Sequence, residues 1–266
     1  MKKLVLALTA LAAFTGSASA ADLAARPYTK APAPLPVAPN WTGFYIFGGG
    51  GGGLWNADSN VVTQPGGAAL TRDQRLGGSG WFGTVGAGYD WQFNSSWVAG
   101  IFADGQFGNI RGSISDPTSI FPGFEGREKL RTSYAAGVRL GYLVAPNVLS
   151  YVNAGYSGSE WSGASYSTLA AAGGPVLFTT PSFHRDGFFV GGGVENNLNI
   201  FGITAPGWFM KTEYRSAFYN RITLPETFVA TGLPTPDAVT FKPWVQTIST
   251  SLVYRFNWTG PLVAKY

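Results

Sequence analysis

Few residues in this sequence could carry out nucleophilic or acid–base chemistry. His184 is the single histidine among 266 residues, and cysteine is absent. Ser182 and Asp186 flank His184, so the three residue types match a Ser–His–acid set. Such a set needs side chains that hydrogen-bond to one another, and close neighbours along a chain rarely provide that geometry. We therefore predict no catalytic residues, and a hydrolase based on His184 stays open as an alternative.

A second set of chemically capable residues is charged and lies in otherwise apolar segments. Charged residues make up only 12% of the chain, against roughly 25% in an average soluble domain. Four acids and four bases share a face of their segments with Gly, Ala and Ser, and opposite charges on one face can pair. We predict that they form one charge network: Asp90, Asp104, Glu195, Glu213, Arg139, Lys211, Arg215 and Arg255.

Composition excludes several classes of protein. The net charge of +4 is small and dispersed, which argues against a nucleic-acid partner. The missing cysteines exclude disulfides and cysteine-based zinc sites, and we predict neither a metal nor a cofactor. Aromatic residues reach 15% and glycine 37 of 266, so the chain is too apolar for disorder and too poor in charge for an ordinary cytosolic enzyme.

The N-terminal region has the pattern of an exported protein. Residues 1–20 combine two lysines, an apolar run and a small-residue ending, which predicts a cleaved signal peptide. Residues 21–40 contain five prolines and predict an extended linker. We assign residues 41–258 to the folded domain and residues 259–266 to a C-terminal tail.

Period-two alternation, the mark of a strand with two different faces, dominates the folded domain. In 130–144, Leu130, Tyr134 and Val138 share one face, whereas Arg131 and Arg139 share the other. Eight such segments are present: 41–56, 81–93, 97–112, 130–144, 149–163, 185–197, 208–219 and 245–256.

The connections alternate between short and long. Residues 94–96 and 145–147 are tight turns, and 199–207 is somewhat longer. The other connections are predicted as long polar loops: 57–78, 113–128, 164–183 and 220–241. Short turns at one end and long loops at the other are typical of an outer-membrane barrel. We therefore predict an all-β fold, an eight-stranded antiparallel transmembrane β-barrel with short periplasmic turns and long extracellular loops.

The faces set the orientation of such a barrel. Arg or Lys facing lipid near the bilayer midplane costs about 2–4 kcal/mol each, so we place the charged face in the lumen and the aromatic face in lipid. The aromatic residues then form two girdles. One lies by the short turns: Trp91, Phe93, Trp97, Tyr142, Trp208, Tyr254 and Phe256. The other lies by the long loops: Trp81, Phe107, Trp161, Phe218 and Trp244.

Several stretches resemble the outer-membrane immunogenic proteins of Gram-negative bacteria, which are small porin-opacity-type barrels. They run in order from residue 41 to the C-terminus: 41–45 (WTGFY), 85–92 (VGAGYDWQ), 191–195 (GGGVE), 210–214 (MKTEY) and 254–258 (YRFNW). The resemblance implies an eight-stranded barrel in the cell outer membrane with both termini in the periplasm. The expected partners are outer-membrane lipid, lipopolysaccharide and the barrel-assembly machinery.

The function predicted from these features is non-enzymatic: a structural or porin-like surface protein with at most a narrow or gated pore. Two alternatives stay open. One is an outer-membrane enzyme that uses His184 on lipid A or another surface substrate. The other is adhesion of the loops to lipopolysaccharide or a host surface, in which Arg127, Lys129 and Arg131 would contact phosphates, although they could equally be solubilising charges. The oligomeric state is not determined.

Overall fold

The computed structural model describes residues 40–116, 124–168, 174–200 and 203–256. The predicted signal peptide, residues 21–39 of the linker and the predicted tail lie outside them. No helix in the described part is long and apolar enough to span a bilayer. The described residues form twelve strands: β1 (Gly43–Ser59), β2 (Val61–Thr63), β3 (Gln74–Gln92), β4 (Trp97–Asp116), β5 (Phe124–Ala145), β6 (Val148–Trp161), β7 (Ser165–Thr168), β8 (Val176–Thr179), β9 (Phe183–Ile200), β10 (Ile203–Tyr219), β11 (Ile222–Phe228) and β12 (Pro234–Arg255).

Eight long strands close into an antiparallel barrel. Their order around the ring is β1, β3, β4, β5, β6, β9, β10 and β12. The ring closes where β1 pairs with β12, from Tyr45 opposite Arg255 to Asp58 opposite Lys242. Closure pairs the strand edges with each other, which is a requirement inside a bilayer. The eight-stranded barrel predicted from the alternation is confirmed.

The tight turns lie together at one end, here called the short-turn end. In the first of them, Asn94 Oδ1 accepts hydrogen bonds from the backbone N–H groups of Ser96 and Trp97, both at 2.8 Å. This side-chain bond stabilises the reversal between β3 and β4. The opposite end is called the long-loop end.

Exposed aromatic side chains mark the part of the barrel that faces lipid. Trp81 and Trp91 on β3 point outward and are 79% and 59% exposed. These two residues lie ten positions apart, and so do Trp208 and Phe218 on β10. Ten residues span about 34 Å along a strand, or about 26 Å across a bilayer at a tilt of about 40°. This is the height of a lipid-facing band, so we call this part the membrane section.

The wall continues beyond the upper girdle, which corrects the loop assignment. β4 runs to Asp116 and β5 begins at Phe124, so most of the predicted loop 113–128 is strand. Where β6, β9 and β10 end, β7, β8 and β11 take their places between β5 and β12. We call this eight-stranded continuation the outer section. This part of the wall stands in water, so its outer face need not be apolar and contains glycine, proline and polar residues. The apolar–polar alternation of its strands is therefore hard to detect in the sequence.

The interior of the outer section is an apolar core. Trp161, predicted in the upper girdle, is instead 1% exposed inside the wall, so that assignment is wrong. Its ring centroid lies 5.6 Å from that of Trp55 and 5.2 Å from that of Phe241. Phe183 stacks on Trp161 at 5.9 Å. We call these four rings the aromatic cluster.

A β-bulge explains a second misassigned face. The pairing of β5 with β6 shifts between Leu130 and Thr132. Strict alternation would place Leu130 and Tyr134 on one face, but Leu130 points inward and Tyr134 outward. It would likewise place Arg131 and Arg139 on one face, but Arg131 points outward and Arg139 inward. An extra residue in one strand inverts the alternation beyond it, which period-two counting cannot detect.

Glycine makes room in the lumen for rings that we expected only on the lipid side. A Cβ on Gly137 would lie 2.8 Å from Phe189 Cζ, and one on Gly193 would lie 2.8 Å from the Tyr151 hydroxyl oxygen. Phe189 and Tyr151 are both buried. The glycine-rich inner face is thus filled by large side chains from neighbouring strands.

Candidate functional site

Four of the predicted charged residues form a closed ring near the short-turn end. The Arg139 Nε group donates to Asp90 Oδ1 at 2.8 Å, and a second guanidinium nitrogen donates to Asp90 Oδ2. Arg139 also donates to Glu195 at 3.2 Å. Arg255 donates to Glu195 at 2.7 Å and to Asp90 at 2.8 Å. Each acid therefore binds both arginines, and we call these four residues the lower tier.

Aromatic rings close the lower tier toward the short-turn end. The Arg255 guanidinium carbon lies 4.4 Å from the Trp41 ring centroid, and that of Arg139 lies 4.3 Å from the Tyr45 centroid. Arg255 also donates to the Trp41 carbonyl at 3.3 Å. Trp41 and Tyr45 are each 1% exposed. The rings exclude water and add cation–π attraction to the ion pairs.

The other four charged residues form an upper tier at mid-barrel. Arg215 donates two hydrogen bonds to Asp104, of 3.0 and 2.7 Å, and one to Glu213, of 2.8 Å. The Lys211 ammonium lies 3.9 Å from Glu213 and 3.2 Å from the Phe47 ring centroid. Tyr151 donates to Glu213 at 2.8 Å while its ring lies 5.1 Å from the Arg139 guanidinium carbon, which joins the two tiers.

The two tiers balance their charge and fill the lumen. Four carboxylates face four cations, and all eight side chains are buried. A neutral, hydrogen-bonded network needs no added ion to compensate it. The structure thus places all eight predicted network residues together in the lumen. Their contacts can hold neighbouring strands in register.

The outer section adds a buried acid that the sequence reading missed. Glu128 is 1% exposed and accepts hydrogen bonds from the Lys129 backbone N–H at 3.1 Å and the Ser162 hydroxyl at 3.4 Å. It lies six residues beyond Tyr134 on β5, outside the membrane section. Burial raises the pKa of the Glu128 carboxyl to about 7. Its inward position depends on the β5 bulge, so alternation alone could not have identified it.

The three predicted lipopolysaccharide-contacting residues lie on the outer surface of β5. Arg127 and Arg131 are exposed and Lys129 is partly exposed. Arg111 pairs opposite Lys129 on β4 and is also exposed. Phe107 and Tyr134 point outward from the same strands on the membrane side of these cations. The four cations, here called the basic patch, therefore lie just above the lipid-facing girdle.

Within the described part of the chain, Ser182, His184 and Asp186 are not arranged as a catalytic triad. Its Nε2 atom lies 2.9 Å from Asp186 Oδ1 and 3.4 Å from the Tyr134 hydroxyl. A triad histidine uses one ring nitrogen for the orienting acid and the other for the nucleophile. Here the acid is next to Nε2, and within the described chain no hydrogen bond joins Ser182 to His184. The group lies on the outer face of the wall.

Comparison with known proteins agrees with this architecture. The family model described as "Outer membrane protein beta-barrel domain" matches residues 6–256. The 31 kDa outer-membrane immunogenic protein of Brucella melitensis is 30% identical over 220 residues, which cover 80% of this chain and 85% of that protein.

A solved structure of an outer-membrane protein shows the same fold. The outer membrane protein OprG from Pseudomonas aeruginosa superposes with a TM-score of 0.52 at 12% identity, covering 82% of this chain and 98% of that one. The outer membrane protease OmpT from Escherichia coli covers 83% of this chain and 99% of that one, with a TM-score of 0.41 and 11% identity.

The short-turn end therefore faces the periplasm and the long-loop end faces the exterior. The protein resides in the cell outer membrane and belongs to the outer-membrane β-barrel family, as a relative of the outer-membrane immunogenic proteins.

Proposed function

We propose that this protein is a non-enzymatic, closed barrel whose membrane section supports a folded outer section at the cell surface. The observation that carries the proposal is that the lumen is filled at successive levels. The lower tier, the upper tier and the aromatic cluster follow one another along the barrel axis. An eight-stranded barrel has an interior just wide enough for side chains to fill.

A closed barrel of this kind has no open pore, whereas the sequence allowed a narrow or gated one. Opening the lower tier alone leaves the upper tier and the aromatic cluster in place, so Arg139→Ala should not create a pore. Planar-bilayer recordings of the wild type and Arg139→Ala should both show no steady conductance. A variant that shrinks all three levels, Arg139→Ala and Arg215→Ala with Trp55→Ala and Trp161→Ala, is the positive control for an opened lumen. Steady wild-type channels would contradict the closed barrel.

A second candidate role, contact with lipopolysaccharide, is favoured by the basic patch. Guanidinium groups bind phosphate in a bidentate manner, and cations just above the girdle stand at the height of lipid headgroups. The triple variant Arg127→Ala/Lys129→Ala/Arg131→Ala should lose most co-purifying lipopolysaccharide. Removing Arg72, Arg75 and Arg221 changes the net charge equally and serves as the matched control. Equal retention in both variants would contradict a specific role for the patch.

The enzyme alternative has its own test. Because Asp186 and the Tyr134 hydroxyl both lie at Nε2, and Ser182 makes no hydrogen bond to His184 within the described chain, we expect His184→Ala to leave lipid A unchanged. Mass spectrometry of lipid A from cells that express each form would detect a lost or gained acyl chain. A shift that depends on His184 would restore the enzymatic function.

A further inference from the structure

The outer wall contains a groove where one strand separates from its neighbour. β6 pairs with β5 as far as Trp161 opposite Leu130, and β7 resumes the pairing at Ser167 opposite Glu125. Between these points the chain passes through Gly163, whose φ of +66° favours glycine. Gly126 lies on the facing strand. The interruption leaves a groove of about 410 Å³, within the range of small-molecule sites.

Polar side chains from three strands line this groove. Its donors and acceptors are hydroxyl, carboxylate and guanidinium groups: Ser113, Glu125, Arg127, Ser165, Ser167 and Thr168. Among the described residues, none of these six side chains makes a hydrogen bond or an ion pair. Neighbouring hydroxyls that are not bonded to one another can bond a polar ligand.

We infer that this groove is a binding site for an anionic saccharide, a sugar that carries a phosphate or a carboxylate. Arg127 would bind the anion, because a guanidinium offers paired donors to such a group. The serine and threonine hydroxyls can each donate and accept, which suits the hydroxyls of a sugar ring. Glu125 would accept a hydrogen bond from a further sugar hydroxyl. A bare anion would leave these hydroxyls unused.

Two sources could supply such a sugar: the core of lipopolysaccharide in the same membrane, or a soluble acidic glycan from outside. The inference goes beyond the closed barrel. It shares Arg127 with the lipopolysaccharide role, but it depends on groove residues that the basic patch does not need. Variants of groove residues other than Arg127 therefore distinguish saccharide binding in the groove from lipopolysaccharide contact through the basic patch.

Saturation-transfer NMR on the purified full-length protein in phosphocholine micelles tests the site. Glucose 1-phosphate is the probe, with glucose and inorganic phosphate as comparisons. We expect clear saturation of the glucose 1-phosphate ring protons, at least threefold weaker in Arg127→Ala. Ser113→Trp, a change at an exposed position, should fill the groove and abolish the signal. Arg75→Ala removes another exposed arginine of the outer section and should leave it unchanged.

Nanodiscs identify the source of the sugar. If the lipopolysaccharide core fills the groove, free glucose 1-phosphate will bind in discs that contain lipid A alone and not in discs with the phosphorylated core. If the groove binds soluble glycans, glucose 1-phosphate will bind in both kinds of disc. Either pattern supports the site. Arg131→Ala should lower co-purifying lipopolysaccharide without changing the NMR signal.

Two results would overturn the inference. One is the absence of saturation for glucose 1-phosphate in micelles. The other is a signal that Arg127→Ala and Ser113→Trp both leave unchanged.

Discussion

The membrane section and the outer section use one continuous wall with opposite interiors. In the membrane section, arginine and carboxylate groups lie inside with buried rings such as Tyr45, Tyr151 and Phe189, and the exposed aromatic rings lie outside. In the outer section, Trp55, Trp161 and Phe241 lie inside, while Arg127 and Ser113 lie outside. The medium around the wall changes from hydrocarbon to water between the two.

The comparison shows that the surrounding solvent sets the pattern of a barrel strand. A charge that faces hydrocarbon costs several kcal/mol, so the membrane section turns its charges inward and pairs them. In water, burial of apolar area stabilises the fold at about 25 cal/mol per Å², so the outer section turns its rings inward. Bulges on β4 and β5 help to change the facing of side chains between the two sections.

Removing one member of the lower tier should have the largest effect. Arg139→Ala leaves Asp90 and Glu195 close together and deprived of one of their two arginines. Breaking a buried pair costs about 3–5 kcal/mol, which we expect as lost unfolding free energy. The urea midpoint, followed by the gel shift between folded and heat-unfolded forms, measures it. Arg131→Ala on the outer surface is the control and should change stability by less than about 0.5 kcal/mol.

An acid in the apolar outer section should respond to pH in a way that the paired acids do not. The pKa of Glu128 is raised from 4.5 to about 7 in the folded protein. The folded state therefore holds this proton more tightly, and stability falls as pH rises from about 4.5 to 7. The loss is about 3 kcal/mol and is complete above pH 7.

Glu128→Gln should remove this pH dependence, because the amide stays neutral. Urea midpoints at pH 5 and pH 8 should differ in the wild type and coincide more closely in the variant. The Arg131 cation favours the charged form of Glu128, so the difference between the two midpoints should be larger in Arg131→Ala than in the wild type. Equal midpoints in the wild type at both pH values would show that water reaches the carboxyl.

Glycine in the lumen should be intolerant of a methyl group, in contrast to glycine on the lipid face. At Gly137, a Cβ would lie 2.5 Å from the Ala154 carbonyl oxygen and 2.8 Å from Phe189. Gly137→Ala should therefore cost about 1–3 kcal/mol. At Gly83 the nearest atom would be 3.8 Å away, so Gly83→Ala is the matched control and should be neutral or slightly stabilising. Gel-shift unfolding compares the two.

The aromatic cluster should tolerate a conservative change best. Phe241→Leu keeps an apolar side chain against Trp55 and Trp161 and should cost about 1 kcal/mol. Phe228→Leu, at a 42% exposed position of the same section, should have almost no effect. The midpoint of urea unfolding measures both. A cost for Phe241→Leu as large as that for Arg139→Ala would contradict the idea that the outer section depends on apolar burial and not on specific pairing.

Local pattern predicted the membrane section well, and the outer section poorly. Arg139, Lys211 and Glu213 interrupt apolar alternation at single positions, so their inward facing followed from the cost of charge in lipid. Trp161 was misassigned because an aromatic residue near a loop fits either a girdle or a core. Glu128 was missed because it falls in the predicted loop 113–128, and because the bulge between Leu130 and Thr132 reverses the facing of the β5 residues that precede it. The groove was not predictable, since it depends on two strands that separate.

The sequence by itself predicted export, and it determined the number of barrel strands and the residues that line the charged lumen. These follow from period-two alternation and from the free energy of charge in hydrocarbon, both of which act on single strands. Only the tertiary structure decided which acid meets which arginine, where the wall leaves the membrane and what fills its outer end. Those features depend on register between strands, and register is set by contacts between residues far apart in the chain.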